Sequence, residues 1–512
     1  MYLNCKTYFS FRYGTFSTEE LVKEGAEAGA TSLALTNINN TCDAWDFVQF
    51  CQEQKIKPIL GTEIHNNNQL LYILLAANNN GLRWINEFLS KHLLEEKPFP
   101  EKAGAAPFFD QPADGFVIYP LKGNKPVEEL LANELIGVAP WEVNKLFGID
   151  VARHQQKFIV RQPVTFKNKL YYNLHRLLRA IDENCLLSKL SPEATAGPYE
   201  FFVPQERILK AFHQYPFIIM NTYRVAERCN VQMEFGTDKN KKTMSATRED
   251  DRVLLSKLAH DGLEYRYGKK NKVAKERLLK ELSIIDQLGF NAYFLITYDI
   301  IRYARSRRYY YVGRGSGANS LVAYCLLITD VDPIELDLYF ERFLNPSRTS
   351  PPDFDIDFSW LDRDDIIDYV FKRYGKDHVA LLGMYDTFQY KATVRELGKL
   401  FGLPKAEIDQ LATTAYYNGG SRGESFTDKQ APDHIHKMIL QYGRLLENFP
   451  NHLSIHPGGI LISEEPIYKY TAIQMPPKGF PVAQLDMFIA ENIGLYKLDI
   501  LSQRGLGHIK EA

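Results

Sequence analysis

Between residues 350 and 358 the chain reads SPPDFDIDF, with acidic side chains at 353, 355 and 357 and large apolar ones at 354, 356 and 358. Alternation at period two predicts a strand, with Asp353, Asp355 and Asp357 on one face and Phe354, Ile356 and Phe358 on the other. Same-face side chains of a strand lie roughly 6–7 Å apart. That separation suits carboxylates sharing a pair of hard divalent cations. The plainer alternative is the solvated face of an edge strand, where three like charges would repel one another without something positive among them.

The pattern elsewhere falls into two styles. Residues 1–95 alternate short apolar strands, predicted at 32–36, 57–61 and 70–77, with amphipathic helices, one opening on the capping box of Ser17 and Glu20. Residues 99–116, rich in Pro, Gly and Ala, read as a loop, and a weaker α/β pattern continues to about 230. One barrel-like β/α domain is the economical reading. Long helices follow. Residues 272–288 carry Leu278, Leu282, Ile285 and Leu288 on one side, are strongly basic at their start and stop at Gly289. A second helix, 292–303, leads into Arg302, Arg305, Arg307 and Arg308 and the tyrosines 309–311. Such interleaving fits a surface that neutralises phosphates and packs sugars or bases, or else a solvated helix face.

The segment GRGSGANS, residues 313–320, runs into an apolar stretch, 321–328, that reads as helix. A glycine-rich turn entering a helix offers backbone N–H groups to an anion, with the positive end of the helix dipole behind them. Here it matches neither the P-loop nor the dinucleotide-binding spacing. FERFLNPSR, residues 340–348, then supplies Arg342 and Arg348, fixed charges of the kind a triphosphate requires. Beyond the acidic strand, 364–374 is a short amphipathic helix and 385–450 forms three helices broken by the polar segment 418–433. The first carries Lys391, Arg395 and Lys399 at i, i+4 and i+8, a stripe that fits a duplex backbone or a salt-bridged exposed face. Strands are predicted at 456–463, 481–487 and 494–501. The last puts Lys497 and Asp499 on one face, delivering a further carboxylate and a cation from a distant part of the chain.

Composition narrows the classes. The 512 residues are enough for two to four domains, and the formal net charge is only −2, so any polyanion-binding surface is local. Six cysteines are scattered without a C-x-x-C pair, against a disulfide framework or thiolate zinc site and in favour of a reducing compartment. With no basic-then-apolar leader and no apolar run near the ~18 residues of a membrane span, the expectation is a cytoplasmic protein without membrane association.

The opening LNCKTYFSFRYG, residues 3–14, resembles the start of a PHP domain, the polymerase-and-histidinol-phosphatase barrel. Where that family has an H-x-H pair of metal ligands, this chain has Asn4 and Lys6. The family's next Asp-His is Asn37-Ile38, and its later Asp-x-His appears as Lys169-Leu-Tyr171. Glu63 remains, and His65 reads as a surface or loop histidine. The resemblance thus implies a PHP fold with no metal of its own.

Taken in order, GRGSGANSLVAY, FERFLNPSR, PPDFDIDF, HPGGILIS, PVAQLDM and GLYKLDIL resemble the bacterial C-family DNA polymerases, over essentially the whole chain. That resemblance implies a multidomain α/β and α+β protein: a PHP domain (1–232), a palm of the beta-type nucleotidyltransferase fold (233–384 and 456–512) and a helical thumb inserted in it (385–455). Fingers would follow this point, so residues 1–512 alone are expected to be poorly active. It implies catalytic, metal-binding carboxylates at Asp353, Asp355 and Asp499, while Asp357 falls at a position where some branches of the family lack an acid. It also implies triphosphate contacts from Gly313, Arg314, Gly315, Ser316, Arg342 and Lys497, and two Mg²⁺ ions. Asn319 departs from the small residue usual at its position. The activity implied is DNA-directed DNA synthesis (EC 2.7.7.7), with primer-template DNA and deoxynucleoside triphosphates as substrates and a sliding clamp and proofreading exonuclease as replisome partners. The alternatives are a nucleic-acid-binding or scaffold module without activity, and an untemplated nucleotidyltransferase.

Overall fold

A computed structural model describes residues 2–102, 113–123, 125–345, 352–419, 434–477 and 479–512. The chain divides into two compact units, one of Met1–Met233, Tyr385–Ser454 and Lys469–Ala472, the other of Glu234–Met384, Ile455–Tyr468 and Ile473–Ala512.

The first unit is built on an eight-stranded sheet of β1 (Tyr2–Cys5), β2 (Ser32–Ile38), β3 (Lys57–Asn66), β4 (Gln69–Ala76), β5 (Gly115–Pro120), β6 (Glu134–Val138), β7 (Phe158–Val160) and β8 (Pro163–Val164). Its spatial order is β7-β6-β5-β4-β3-β2-β1-β8. The edge strands β7 and β8 are separated in sequence only by Arg161 and Gln162, a stretch that spans about 10 Å at most. The sheet therefore curls until its edges approach, a half-barrel in place of a flat layer. It is not uniformly parallel, because β4 runs antiparallel to both β3 and β5. Leu3, Ala34, Ile59, Ile73, Ile118, Leu135 and Ile159 from β1 to β7 fill one core with Val225 and Ala226. The helix Thr18–Glu27 opens with the expected Ser17/Glu20 capping box.

A second core in this unit joins helix Lys169–Asp182 to the segment after residue 385. Leu174, Leu177 and Leu178 pack with Phe388, Val394, Leu397, Ile439 and Leu446, so helices Tyr390–Leu400 and His434–Leu445 share their apolar faces with a helix of the N-terminal segment. The third helix there is Lys405–Gly419, and residues 420–433 of the polar interruption lie outside the described residues.

The second unit holds a seven-stranded sheet of β9 (Tyr311–Arg314), β10 (Asp355–Ser359), β11 (Val379–Thr387), β12 (Pro450–Ile462), β13 (Ile473–Gln474), β14 (Val482–Ala483) and β15 (Leu498–Gln503), ordered β13-β14-β11-β12-β15-β10-β9. The acidic strand starts later than its alternation suggests, at Asp355. Residues 350 and 351 lie outside the described set, and Pro352 has no N–H to give to a ladder. The helix expected over 321–328 closes at Cys325, and Leu327 beyond it takes a left-handed φ of +62°.

Candidate active site

In the second sheet β10 lies between β15, parallel to it, and β9, antiparallel, with Asp355 directly opposite Asp499 on one side and Arg314 on the other. Residues opposite one another in a ladder point to the same face, so two carboxylates far apart in sequence are brought side by side. The alternation supplies the anchor. Phe354, Ile356 and Phe358 are each no more than 2% exposed, and Phe354 stacks on Tyr293 with ring centroids 5.5 Å apart.

The acidic face is short of positive charge. Lys497 Nζ donates to Asp499 Oδ2, and its pKa is raised because its carboxylate neighbours outweigh its burial. The other oxygen, Asp499 Oδ1, is buried and accepts no hydrogen bond. The same is true of Asp357 Oδ1, whose partner oxygen Oδ2 accepts from Arg314 Nε at 2.8 Å. Arg314 Nη1 reaches Asp355 only at 3.5 Å. Asp355 is held above the usual carboxylate range by burial, and the charges of Asp499 and Asp353 add to it against Arg314 and Lys497. Asp353 itself is exposed and sits just before the strand. Buried carboxylate oxygens without donors are uncommon, and oxygen donors of this kind suit a hard divalent cation. Among the described residues no group of three or more His, Cys, Asp or Glu side chains forms a ready metal cage. Asp355 and Asp499 are the pair that the sheet brings together.

The glycine-rich segment forms a single tight turn, Gly315–Asn319. Gly315 has φ +74°, and a Cβ there would lie 2.8 Å from Asp355 Oδ2, so both its conformation and its neighbour call for glycine. Gly313 is buried in β9, Ser316 is half-buried, and Asn319 Nδ2 closes the turn on Ser316 O at 2.9 Å. The turn packs against Phe340–Arg342, where Arg342 is exposed; Arg348 lies outside the described residues.

The expected helix dipole behind the turn needs correcting. The helix, Leu321–Cys325, has only five residues, and its first turn is taken by Glu281, whose Oε2 accepts from Ser320 Oγ at 3.0 Å and Val322 N at 3.1 Å. Any phosphate contact rests on the turn itself. Glu281, 0% exposed, does not stand out in the sequence, because it lies within a helix that reads as basic.

In the arginine–tyrosine cluster, Arg302 and Tyr309 are committed internally. Asp299, 2% exposed, accepts from Arg302, Tyr369, Tyr374 and Arg373, and Asp365 accepts from the hydroxyls of Tyr303 and Tyr309. Tyr303 stacks on Tyr369 at 3.9 Å. In the first unit, Arg395 pairs with Asp409 at 3.4 Å and Lys399 with Glu396 at 2.7 Å, the salt-bridged alternative for that stripe.

In the half-barrel, Lys6 Nζ lies 2.6 Å from Glu63 Oε1, both side chains nearly inaccessible. Glu63 also bonds His65 Nε2 at 2.8 Å and accepts from Asn4. Burial pushes the Glu63 carboxyl up, but Lys6 and His65 outweigh it and leave the pKa well below the usual range. His65 is therefore no surface or loop histidine. It belongs to β3 and is 6% exposed. Asn37 bonds Thr7, Ser10 and Asp43, and Lys169 begins a helix.

Two family models match the chain: residues 253–502 match the bacterial DNA polymerase III alpha NTPase domain and residues 3–113 the PHP domain. Residues 253–502 thus carry a domain of the bacterial DNA polymerase III alpha kind and residues 3–113 a PHP domain. The chain is 30% identical, over its entire length, to 52% of an error-prone DNA polymerase of Symbiobacterium thermophilum. It is also 30% identical, over 99% of its length, to 48% of the DNA polymerase III subunit alpha of Vibrio cholerae and to 48% of that of Escherichia coli K12. The chain thus spans about half the length of the curated relatives it matches. No helix among the described residues is long and apolar enough to cross a membrane.

Proposed function

We propose that this chain carries the metal- and triphosphate-binding part of a DNA-directed DNA polymerase, which transfers a deoxynucleotide from its triphosphate to a primer 3′-hydroxyl. The observation that carries the reading is the pairing of Asp355 with Asp499, whose buried Oδ1 has no donor. In this reading the second unit is a nucleotidyltransferase palm and the helices of 385–455 a thumb. Asp355 and Asp499, with Asp353 at the rim, would hold two Mg²⁺ ions. Such ions, when bound, lower the pKa of the attacking hydroxyl and neutralise the leaving phosphates.

The chain's own groups do the positioning. Lys497 fixes one oxygen of Asp499, and the other is buried without a hydrogen-bond donor, 4.0 Å from His456 Nδ1. The Gly315 backbone lies against Asp355, where a triphosphate would meet it, and Arg342 on the adjoining turn would neutralise phosphate charge. Primer-template DNA, the incoming nucleotide and further replisome subunits are the partners this reading requires, and the cytoplasm is where it places the chain. An untemplated transferase would share the same carboxylates and dispense with the template.

Primer extension tests it. Template-directed incorporation by a longer polymerase that includes residues 1–512, abolished by Asp499→Asn with an unchanged circular dichroism spectrum, is the expected result. Incorporation indifferent to the template base would favour untemplated transfer, and a fully active Asp499→Asn would contradict the assignment.

A further inference from the structure

Glu281 is a fully buried carboxylate that the proposed chemistry does not use, yet it is tied to the backbone just behind the glycine-rich turn. Its Oε1 accepts from Arg277 Nε at 3.0 Å, four residues back on the same helix, Lys272–Gln287. Its Oε2 accepts from Ser320 Oγ and from Val322 N. Arg277 also donates from Nη2 to Asn319 O at 2.8 Å. The ion pair therefore grips three parts of one short segment: the carbonyl of Asn319, the hydroxyl of Ser320 and the N–H of Val322.

From there the connections run to the site. Asn319 Nδ2 bonds Ser316 O, and Ser320 N bonds Gly317 O at 3.1 Å, so both ends of the turn are referred to the clamped residues. On its other side the turn has no slack. A Cβ on Gly315 would meet Asp355 and one on Gly317 would meet Phe354 Cδ1 at 2.8 Å. A displacement of Asn319 or Ser320 must move the turn relative to the Asp355 carboxylate.

A buried charge pair of this kind is weak evidence for stability alone, because apolar residues of similar volume fill such space at least as well. Its geometry suits a different task, holding a loop in one register. We propose that Glu281 and Arg277 are positioning residues for the triphosphate, fixing the Gly315–Asn319 turn through Ser320 and Asn319. The inference rests on the reading that this turn receives the nucleotide's phosphates. Burial also pushes the Glu281 carboxyl pKa up, and the N–H groups of Val322 and Leu321 and the Arg277 guanidinium hold it back.

The experiment is equilibrium binding of dATP, with deoxyadenosine as the phosphate-free control, to the purified chain in Mg²⁺. Variants are Arg277→Met, Glu281→Gln, Ser320→Ala, Ser320→Thr and Asp355→Asn, each with its melting temperature. Arg277→Met leaves buried Glu281 without its cation, so the two Ser320 variants, which keep the ion pair, carry the test wherever a change in the pair unfolds the protein. Expected are an affinity for dATP lowered about tenfold in Arg277→Met and Glu281→Gln, a smaller loss in Ser320→Ala that Ser320→Thr restores, and no change for deoxyadenosine. If Asp355→Asn weakens dATP binding while Arg277→Met and Ser320→Ala bind it as the wild type does, the clamp is overturned and the polymerase reading stands. If the wild type shows no preference for dATP over deoxyadenosine and Asp355→Asn changes nothing, the reading falls and the clamp with it.

Discussion

Lys6 and Glu63 face each other across the interior of the half-barrel, 2.6 Å apart and almost wholly withdrawn from water. A buried carboxylate that loses its cation is left charged and unpaired, which typically costs about 3–5 kcal/mol. Lys6→Met is expected to lose stability in that range, and Lys6→Met with Glu63→Gln to recover much of it. Urea unfolding measures both. A loss below about 1 kcal/mol in the single variant would mean that His65 and Asn4 suffice to satisfy Glu63.

His175 carries a pH dependence. It is 0% exposed, its Nδ1 donates to Tyr13 O at 2.6 Å and its Nε2 accepts from Ala196 N at 2.8 Å, so the ring is held neutral. Burial lowers its pKa to about 3, whereas the unfolded chain titrates near the ordinary 6.5. The unfolded state takes up the proton first, so stability is complete above the ordinary value and is lost as pH falls toward about 3. Between pH 7 and 5 the contribution is about 2 kcal/mol. His175→Gln is expected to flatten the pH dependence of unfolding over that interval. Parallel slopes for variant and wild type would refute it.

The site is unevenly legible in the sequence, for physical reasons. Period-two alternation is local, so the apolar anchoring of Phe354, Ile356 and Phe358 and the common face of Lys497 and Asp499 can be read directly from the order of residues. That Asp499 lies opposite Asp355 is a long-range pairing, and only the resemblance to known polymerases points to it. Glu281 gives no such signal because its partners, Ser320 and Val322, are some forty residues on. Arg302 and Tyr309 look free for nucleic acid in the sequence because Asp299 and Asp365, which bind them, cannot be assigned as partners without the fold. Pro351 and Pro352 do signal that the strand starts late, but the alternation that follows them masks it.

Gly315 couples conformation to the site. A side chain there is strained by φ +74° and meets Asp355 Oδ2. Gly315→Ala is expected to cost about 1–2 kcal/mol of stability through the left-handed conformation. It is also expected to weaken Mg·dATP binding about tenfold, since the tip of Asp355 yields more easily than the backbone. Calorimetric titration beside thermal melting separates the effects. Nucleotide binding equal to the wild type would show that the turn does not meet the phosphates.

Asp355 is held above the ordinary carboxylate range by burial and its acidic neighbours. A metal ion needs the ionised form, so divalent-cation affinity is expected to fall on acidification at a higher pH than an isolated aspartate would give. Asp499→Asn, which removes one of those neighbours, should move the fall to lower pH. Mn²⁺ titrations followed by electron paramagnetic resonance between pH 8 and pH 4 give the profile, and an unshifted profile in the variant would uncouple the two aspartates.

Anomalous diffraction from a crystal soaked in Mn²⁺ locates the metal outright. A peak is expected within bonding distance of both Asp355 and Asp499, and absent from an Asp355→Asn crystal. A peak beside Glu63 with none between the two aspartates would contradict the assignment of the metal to the second unit.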